Sequence, residues 1–442
     1  MSSELGAAPG RTRTKRGRLA NVALALVGLV SCSGRIHVTH PEFEGGGLLA
    51  GARPLEPASI AALSGFFSAG PLPSRLGPEV ALRATSSTVS LFGDRSAGYA
   101  ITRPGCTSDG RLVLEGHWRY PLSSETGLVR LFVGPDRTAA ALCRGEPPPN
   151  DERLVLRGTT GDEDSAPSEA LDLTFERPLA DLRGKFFVVG HRGACRTIDD
   201  CGVSENSVES IRFAPSMAAD VVELDVQVSA DGVPFLYHDD AFGPRLSRGA
   251  FCHGDVSAFT MAHVRELCTL RYGEAVPTLD EALDAALATP ELRAVWLDVK
   301  RPEAILPAAR AVRRIEGIRP ESRKGFRVVL GLGDEALMDR YAVDVPARDV
   351  PCLAELDPAD VRRLGCMVWG PRWTRGPMRP DVAALQAEGR QVAFWTIDEP
   401  EYIGVFLDKA IPNAIVTNRH GLVFLLAQRR AASLATLEPL RP

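Results

Sequence analysis

From about residue 185 the chain alternates strand and helix patterns, and that alternation limits its fold more than any other feature. Candidate strands end at Gly190, Gln227, His238, Lys300, Leu332, Gly370, Ile397 and Asn418. Helical patterns lie between several of them, at 280–287, 302–315 and 381–388. Eight strand–helix repeats in about 245 residues predict an α/β protein with a TIM (β/α)8 barrel over 185–430. An open doubly wound sheet would more often carry a Gly-rich phosphate loop after its first strand, and none is present.

Residues 58–180 have a different texture. Short apolar runs begin near Glu79, Thr88, Gly98, Arg111, Leu128, Arg153 and Leu171, with turn signals between them. Seven or so strands without a long helical pattern predict a small all-β domain, sandwich or barrel, ahead of the TIM barrel. Residues 32–57 are Gly- and Pro-rich and read as a tether.

The N-terminus reads as an address. Arg11, Arg13, Lys15, Arg16 and Arg18 precede an apolar stretch from Leu19 to Val30, the length of a signal-peptide core and too short to span a bilayer. Leu29-Val30-Ser31-Cys32 resembles the lipobox of bacterial lipoprotein signals. It implies a signal peptide over 1–31, lipidation of Cys32, and export to the cell envelope with a membrane anchor. Formal charge is -5 for the whole chain. Residues 1–31 hold five basic residues and one acidic, so the remainder carries -9. A mildly acidic body does not suit nucleic acid as a partner. The other eight cysteines fall into sequence neighbours: Cys106 and Cys143, Cys195 and Cys201, Cys252 and Cys268, Cys352 and Cys366. A disulfide framework suits an oxidising compartment, but eight cysteines allow 105 connectivities.

Polar residues gather where TIM barrels place their active sites, at strand C-termini. The run Phe186–Gly190 leads into His191-Arg192-Gly193, and Pro234–Tyr237, taken as the third barrel strand, leads into His238-Asp239. Residues two apart on a strand share a face, so Glu223 points with Asp225, and Asp298 with Lys300. Three carboxylates from adjacent strands make a hard oxygen site for one divalent cation, Mg²⁺ or Ca²⁺. His191 and His238 are two of only eight histidines, and they titrate near neutrality, as a general base and acid must. Arg192 offers a fork, and Lys300 a point charge, for phosphoryl oxygens.

Together these residues resemble the glycerophosphodiester phosphodiesterase family over about 185–425. The matching motifs are His191-Arg192-Gly193, Glu205-Asn206-Ser207, Glu223-Leu224-Asp225-Val226, Asp231-Gly232-Val233-Pro234 and His238-Asp239. They continue with Pro277-Thr278-Leu279-Asp280-Glu281, Asp298-Val299-Lys300, Phe394-Trp395-Thr396-Ile397 and Ile415-Val416-Thr417-Asn418-Arg419. The resemblance implies hydrolysis of a glycerophosphodiester, small or lipid, to glycerol phosphate and an alcohol. It implies acid/base roles for His191 and His238, and metal ligation by Glu223, Asp225 and Asp298. Arg192, Asn206 and Lys300 would meet the phosphate or order the site, Glu205 would add a metal or hydroxyl contact, and Trp395 would lie near substrate. Two departures stand out. Asp298 is one methylene shorter than the commoner glutamate, as in sphingomyelinase D relatives that form a cyclic phosphate. Asn418 replaces a usual aspartate, a change expected to bear on loop anchoring more than on chemistry. Two alternatives remain: a phospholipase D-like lyase, and a non-catalytic phosphoester-binding lipoprotein.

Overall fold

The computed structural model describes residues 38–70 and 74–439. The expected signal peptide and Cys32 lie outside the described residues. No described helix is long and apolar enough to cross a membrane.

The first half is an all-β barrel. Eight strands follow one another up and down: Gly65–Ala69, Glu79–Ala84, Val89–Phe92, Tyr99–Cys106, Leu112–Arg119, Thr126–Val133, Val155–Thr160 and Glu169–Arg177. Each pairs antiparallel with the next, and the last pairs with the first, so no edge is left open among them. Gly65–Ala69 escapes a sequence reading because Phe66-Phe67 shows no alternation of apolar and polar residues. Leu82, Leu91, Leu114 and Leu131 fill the interior. Part of the stretch expected to be a tether is ordered on this barrel. Glu44–Gly51 forms 3-10 turns, and Arg53–Pro54 pairs with the end of Tyr99–Cys106.

The second half is a closed barrel of eight parallel strands. These are Phe187–Gly190, Val221–Val228, Ala294–Val299, Arg327–Leu332, Cys352–Ala354, Val368–Trp369, Gln391–Phe394 and Ala414–Thr417. The eighth pairs with the first, and the first with the second. An outer helix follows every strand, from Val208–Phe213 to His420–Arg429. Thr278 and Glu281 start one of these helices with a reciprocal capping box. The lower interior is apolar, lined by Phe187, Val189, Val221, Val329 and Val416.

One strand assignment needs correction. Pro234–Leu236 is not the third barrel strand; it runs antiparallel to Val221–Val228 as the return of a hairpin. Only Ser229–Val233 separates them, far fewer than the dozen or so residues a parallel crossover needs. Asp231-Gly232 is the turn signal that marks it, with Gly232 left-handed at φ 79. The true third strand is Ala294–Val299, and the strand missing from the expected set is the fifth, Cys352–Ala354, too short to show a period. The hairpin opens an insertion before the helix Leu279–Ala288. It has its own core of Phe235, Tyr237, Phe242, Val256 and Val264.

Among the described residues four disulfides form, each between sequence neighbours: Cys106–Cys143, Cys195–Cys201, Cys252–Cys268 and Cys352–Cys366. The two barrels share one hydrophobic core, in which Phe66, Phe92 and Tyr99 of the small barrel meet the large one. Phe92 packs edge-on against Phe424, 5.7 Å between centroids. Gly421 makes room for it, since a Cβ there would fall 2.1 Å from the Phe92 ring.

Candidate active site

The second and third strands bring the acids together. Asp225 is in register with Asp298, and Glu223 with Trp296, so all four side chains face the barrel interior. One oxygen from each of Glu223, Asp225 and Asp298 lies within 4.8 Å of the others. Glu223 and Asp225 are almost wholly buried. Lys300 Nζ sits 2.6 Å from Asp225 Oδ1 and 2.5 Å from Asp298 Oδ2. Glu223 Oε1 is buried with no hydrogen-bond partner. An acid trio around one cation, with an orphaned carboxylate oxygen, fits a divalent ion bound by hard oxygen ligands.

The electrostatics follow from this crowding. Burial and the charges of Asp225 and Asp298 push Glu223 well up. Burial, then neighbouring Asp225, raises Asp298 despite Lys300. Burial also works against ionisation of Asp225, yet Lys300, His238 and Arg192 hold it well below the usual carboxylate range.

The loop after the first strand supplies His191, Arg192, Glu205 and Asn206. Arg192 N donates to Glu223 Oε2 at 2.8 Å, and its guanidinium to Glu205 Oε1 at 2.9 Å. Asn206 Nδ2 donates to Asp225 Oδ2 at 2.6 Å, and Asp225 N returns a bond to Asn206 Oδ1 at 3.0 Å. Glu205 stands outside the metal trio. Its second oxygen accepts from Thr197 N at 2.6 Å, so it orders the loop.

The histidines are each tied down at one nitrogen. His191 Nδ1 lies 2.8 Å from Asn418 Oδ1, and its Nε2 is 4.0 Å from Glu223 Oε2. Asn418 Nδ2 donates to Asp398 Oδ2 at 2.7 Å. Asp398 can only accept, so the amide is forced to present its oxygen to His191. Burial and the adjacent Arg192 charge push the His191 imidazole down to about 4. His238 Nδ1 bonds Asp239 Oδ1 at 2.8 Å, and Asp239 also accepts from Arg245 Nε at 2.9 Å. His238 reaches the rim because Tyr237 N is pinned to the Asp225 carbonyl at 3.1 Å.

His191, Arg192, Glu223, His238, Asp298 and Lys300 line a cavity of about 380 Å³ with Trp296, Glu355, Arg372 and Trp395. Arg372 stacks its guanidinium 4.7 Å from the Trp395 ring centre. Burial and Asp298 raise the Glu355 carboxyl to about 8. Sequence reasoning missed Glu355, Arg372 and Asp398. The first two follow the shortest strands, Cys352–Ala354 and Val368–Trp369, where periodicity carries little signal. Asn418 does more than anchor a loop, since it sets the orientation of His191.

Acids, two histidines, Arg192 and Lys300 gathered at the C-terminal mouth of a TIM barrel make an arrangement suited to phosphodiester chemistry. Residues 191–315 match the sequence model of the Glycerophosphoryl diester phosphodiesterase family. The chain is 28% identical over 241 residues to a Mycobacterium tuberculosis protein named probable glycerophosphodiester phosphodiesterase 2. That match covers 49% of this chain and 83% of the relative. A glycerophosphodiester phosphodiesterase of Caldanaerobacter subterraneus is 32% identical over 106 residues, covering 23% of this chain and 40% of that protein. Among solved structures, a glycerophosphodiester phosphodiesterase from Parabacteroides distasonis aligns with 56% of this chain and 99% of its own, at TM-score 0.46 and 22% identity. The similarity to the glycerophosphodiester phosphodiesterase family centres on residues 191–315, and the second half of the chain is similar to enzymes of that class.

Proposed function

We propose that the chain hydrolyses a glycerophosphodiester to glycerol phosphate and an alcohol, with one divalent cation and two histidines. The observation that carries this reading is the trio Glu223, Asp225 and Asp298, flanked by two histidines whose Nδ1 atoms are both committed. Glu223, Asp225 and Asp298 would hold the cation, which when bound neutralises charge on the phosphoryl oxygens. Arg192 and Lys300 orient the phosphate. His191, kept neutral with Nε2 bare, accepts a proton from the attacking water as its oxygen bonds to phosphorus. His238, held at Nδ1 by Asp239, gives a proton to the departing alcohol oxygen as its bond to phosphorus breaks. Glu355 and Arg372 lie where the organic part of the substrate would meet the wall. The signal-like N-terminus, Cys32 and the four disulfides support export to a bacterial envelope with a lipid anchor.

The test is phosphorus NMR of purified protein with glycerophosphocholine and lysophosphatidylcholine, with Mg²⁺, Ca²⁺ or chelator. Glycerol phosphate is expected from the first substrate, abolished by chelator. His191→Ala and His238→Ala should each lower kcat about 10²- to 10⁴-fold. A cyclic phosphate from lysophosphatidylcholine would instead make the protein a lyase. Phosphoester binding without turnover of either substrate, under any metal condition, would mean the barrel only binds.

A further inference from the structure

The small barrel touches the loop at the mouth of the large one through a buried arginine. Arg119 ends the strand Leu112–Arg119 and is fully buried. Its Nη1 donates to the backbone carbonyl of Asp200, which also lies 3.2 Å from His40 Nε2. The Asp200 carboxylate accepts from Val38 N at 2.8 Å. Asp200 closes the 3-10 turn Thr197–Asp199, within the loop that the Cys195–Cys201 bridge spans. From that turn two bonds lead to the site. Thr197 N donates to Glu205, and the other Glu205 oxygen holds the Arg192 guanidinium.

The loop does not hold this shape by local preference. Arg192, Ala194, Asp200 and Asn206 are all left-handed without being glycine, with φ of 55, 70, 50 and 57. Such residues persist only where their surroundings over-determine them, and they concentrate at functional sites. A buried guanidinium from a separate domain, donating to the backbone of one of them, is such a constraint.

We propose that the small barrel is a positioning domain for the active site, in which Arg119 acts through Asp200 and Glu205 to set Arg192 against the phosphate. This rests on reading Arg192 as a phosphate ligand. The test uses the full chain with Arg119→Met and Arg119→Lys. It measures kcat and KM on glycerophosphocholine, calorimetric affinity for sn-glycerol 3-phosphate, and hydrogen exchange across 195–206. In Arg119→Met, kcat/KM and glycerol phosphate affinity should each fall about tenfold, as an ångström-scale misplacement would cause. Exchange should quicken in 195–206 but not in the hairpin around 229–233, and Arg119→Lys should recover most of the loss. Should Arg119→Met not fold, His40→Ala removes one contact to Asp200 from a less buried position and is read the same way. Unchanged loop exchange with kcat/KM within twofold of wild type would overturn the proposal. If the wild-type chain does not turn over glycerophosphocholine, the functional reading fails, while glycerol phosphate affinity and loop exchange still decide the positioning role.

Discussion

Asn418 decides which nitrogen of His191 is left without a hydrogen-bond partner. The sequence shows only an amide where an acid is usual; its consequence needs the partner, because Asp398 is 20 residues away and fixes the amide's direction. A carboxylate at 418 would stabilise the protonated imidazole more than the neutral amide does. Asn418→Asp is therefore expected to raise the His191 pKa and to move the acidic limb of the kcat/KM–pH profile to higher pH. The profile of the variant against wild type measures it. The acids and histidines were legible because each sits in an apolar strand or at its tip, where a charge is conspicuous. Glu355 and Arg372 were not, because two- and three-residue strands leave their followers looking like any surface loop.

At the level of elements, the barrel stood out where its strands are long. Pro234–Leu236 is as apolar as a barrel strand, and the short connection with its Asp231-Gly232 turn is what tells them apart. Taking it for a barrel strand puts His238 at the right place for the wrong reason: a hairpin return delivers it. Another element-level dependence lies in the fourth strand. Gly331 follows Asp298 across the sheet, and the Trp296 indole lies over it, so that a Cβ would stand 2.4 Å from Trp296 Nε1. Gly331→Ala must displace that ring into the cavity it lines. The expected cost is about 1–3 kcal/mol of stability and roughly a tenfold loss of kcat/KM. Chemical denaturation and steady-state kinetics read the two effects separately.

Across the whole molecule, the two barrels are joined through a common core, which no local pattern in the sequence announces. Buried histidines make the fold sensitive to acid. Burial, with His40 and Arg119 alongside, pushes the His117 imidazole down to about 3. His117 stacks on His40, 4.7 Å between centroids. An unfolded histidine titrates near 6.5, so below that pH the unfolded chain takes up a proton that the folded one refuses. The stability is fully present above about 6.5 and falls as pH drops towards 3, by up to about 1.4 kcal/mol per unit. His117→Gln should remove that slope. Between pH 7 and 5 the wild-type chain should lose about 2 kcal/mol more than the variant, measured by urea unfolding.

The cysteine pairing carries a consequence for how the chain is made. The partners are 37, 6, 16 and 14 residues apart, and no bridge encloses another. For a polypeptide delivered N-terminus first into an oxidising space, with Cys32 taken by the proposed lipidation, every cysteine after Cys106 emerges either as the partner of the one before it or after all earlier thiols are already consumed. Simple oxidation in order of arrival then yields the native set, with no wrong bridge for an isomerase to undo.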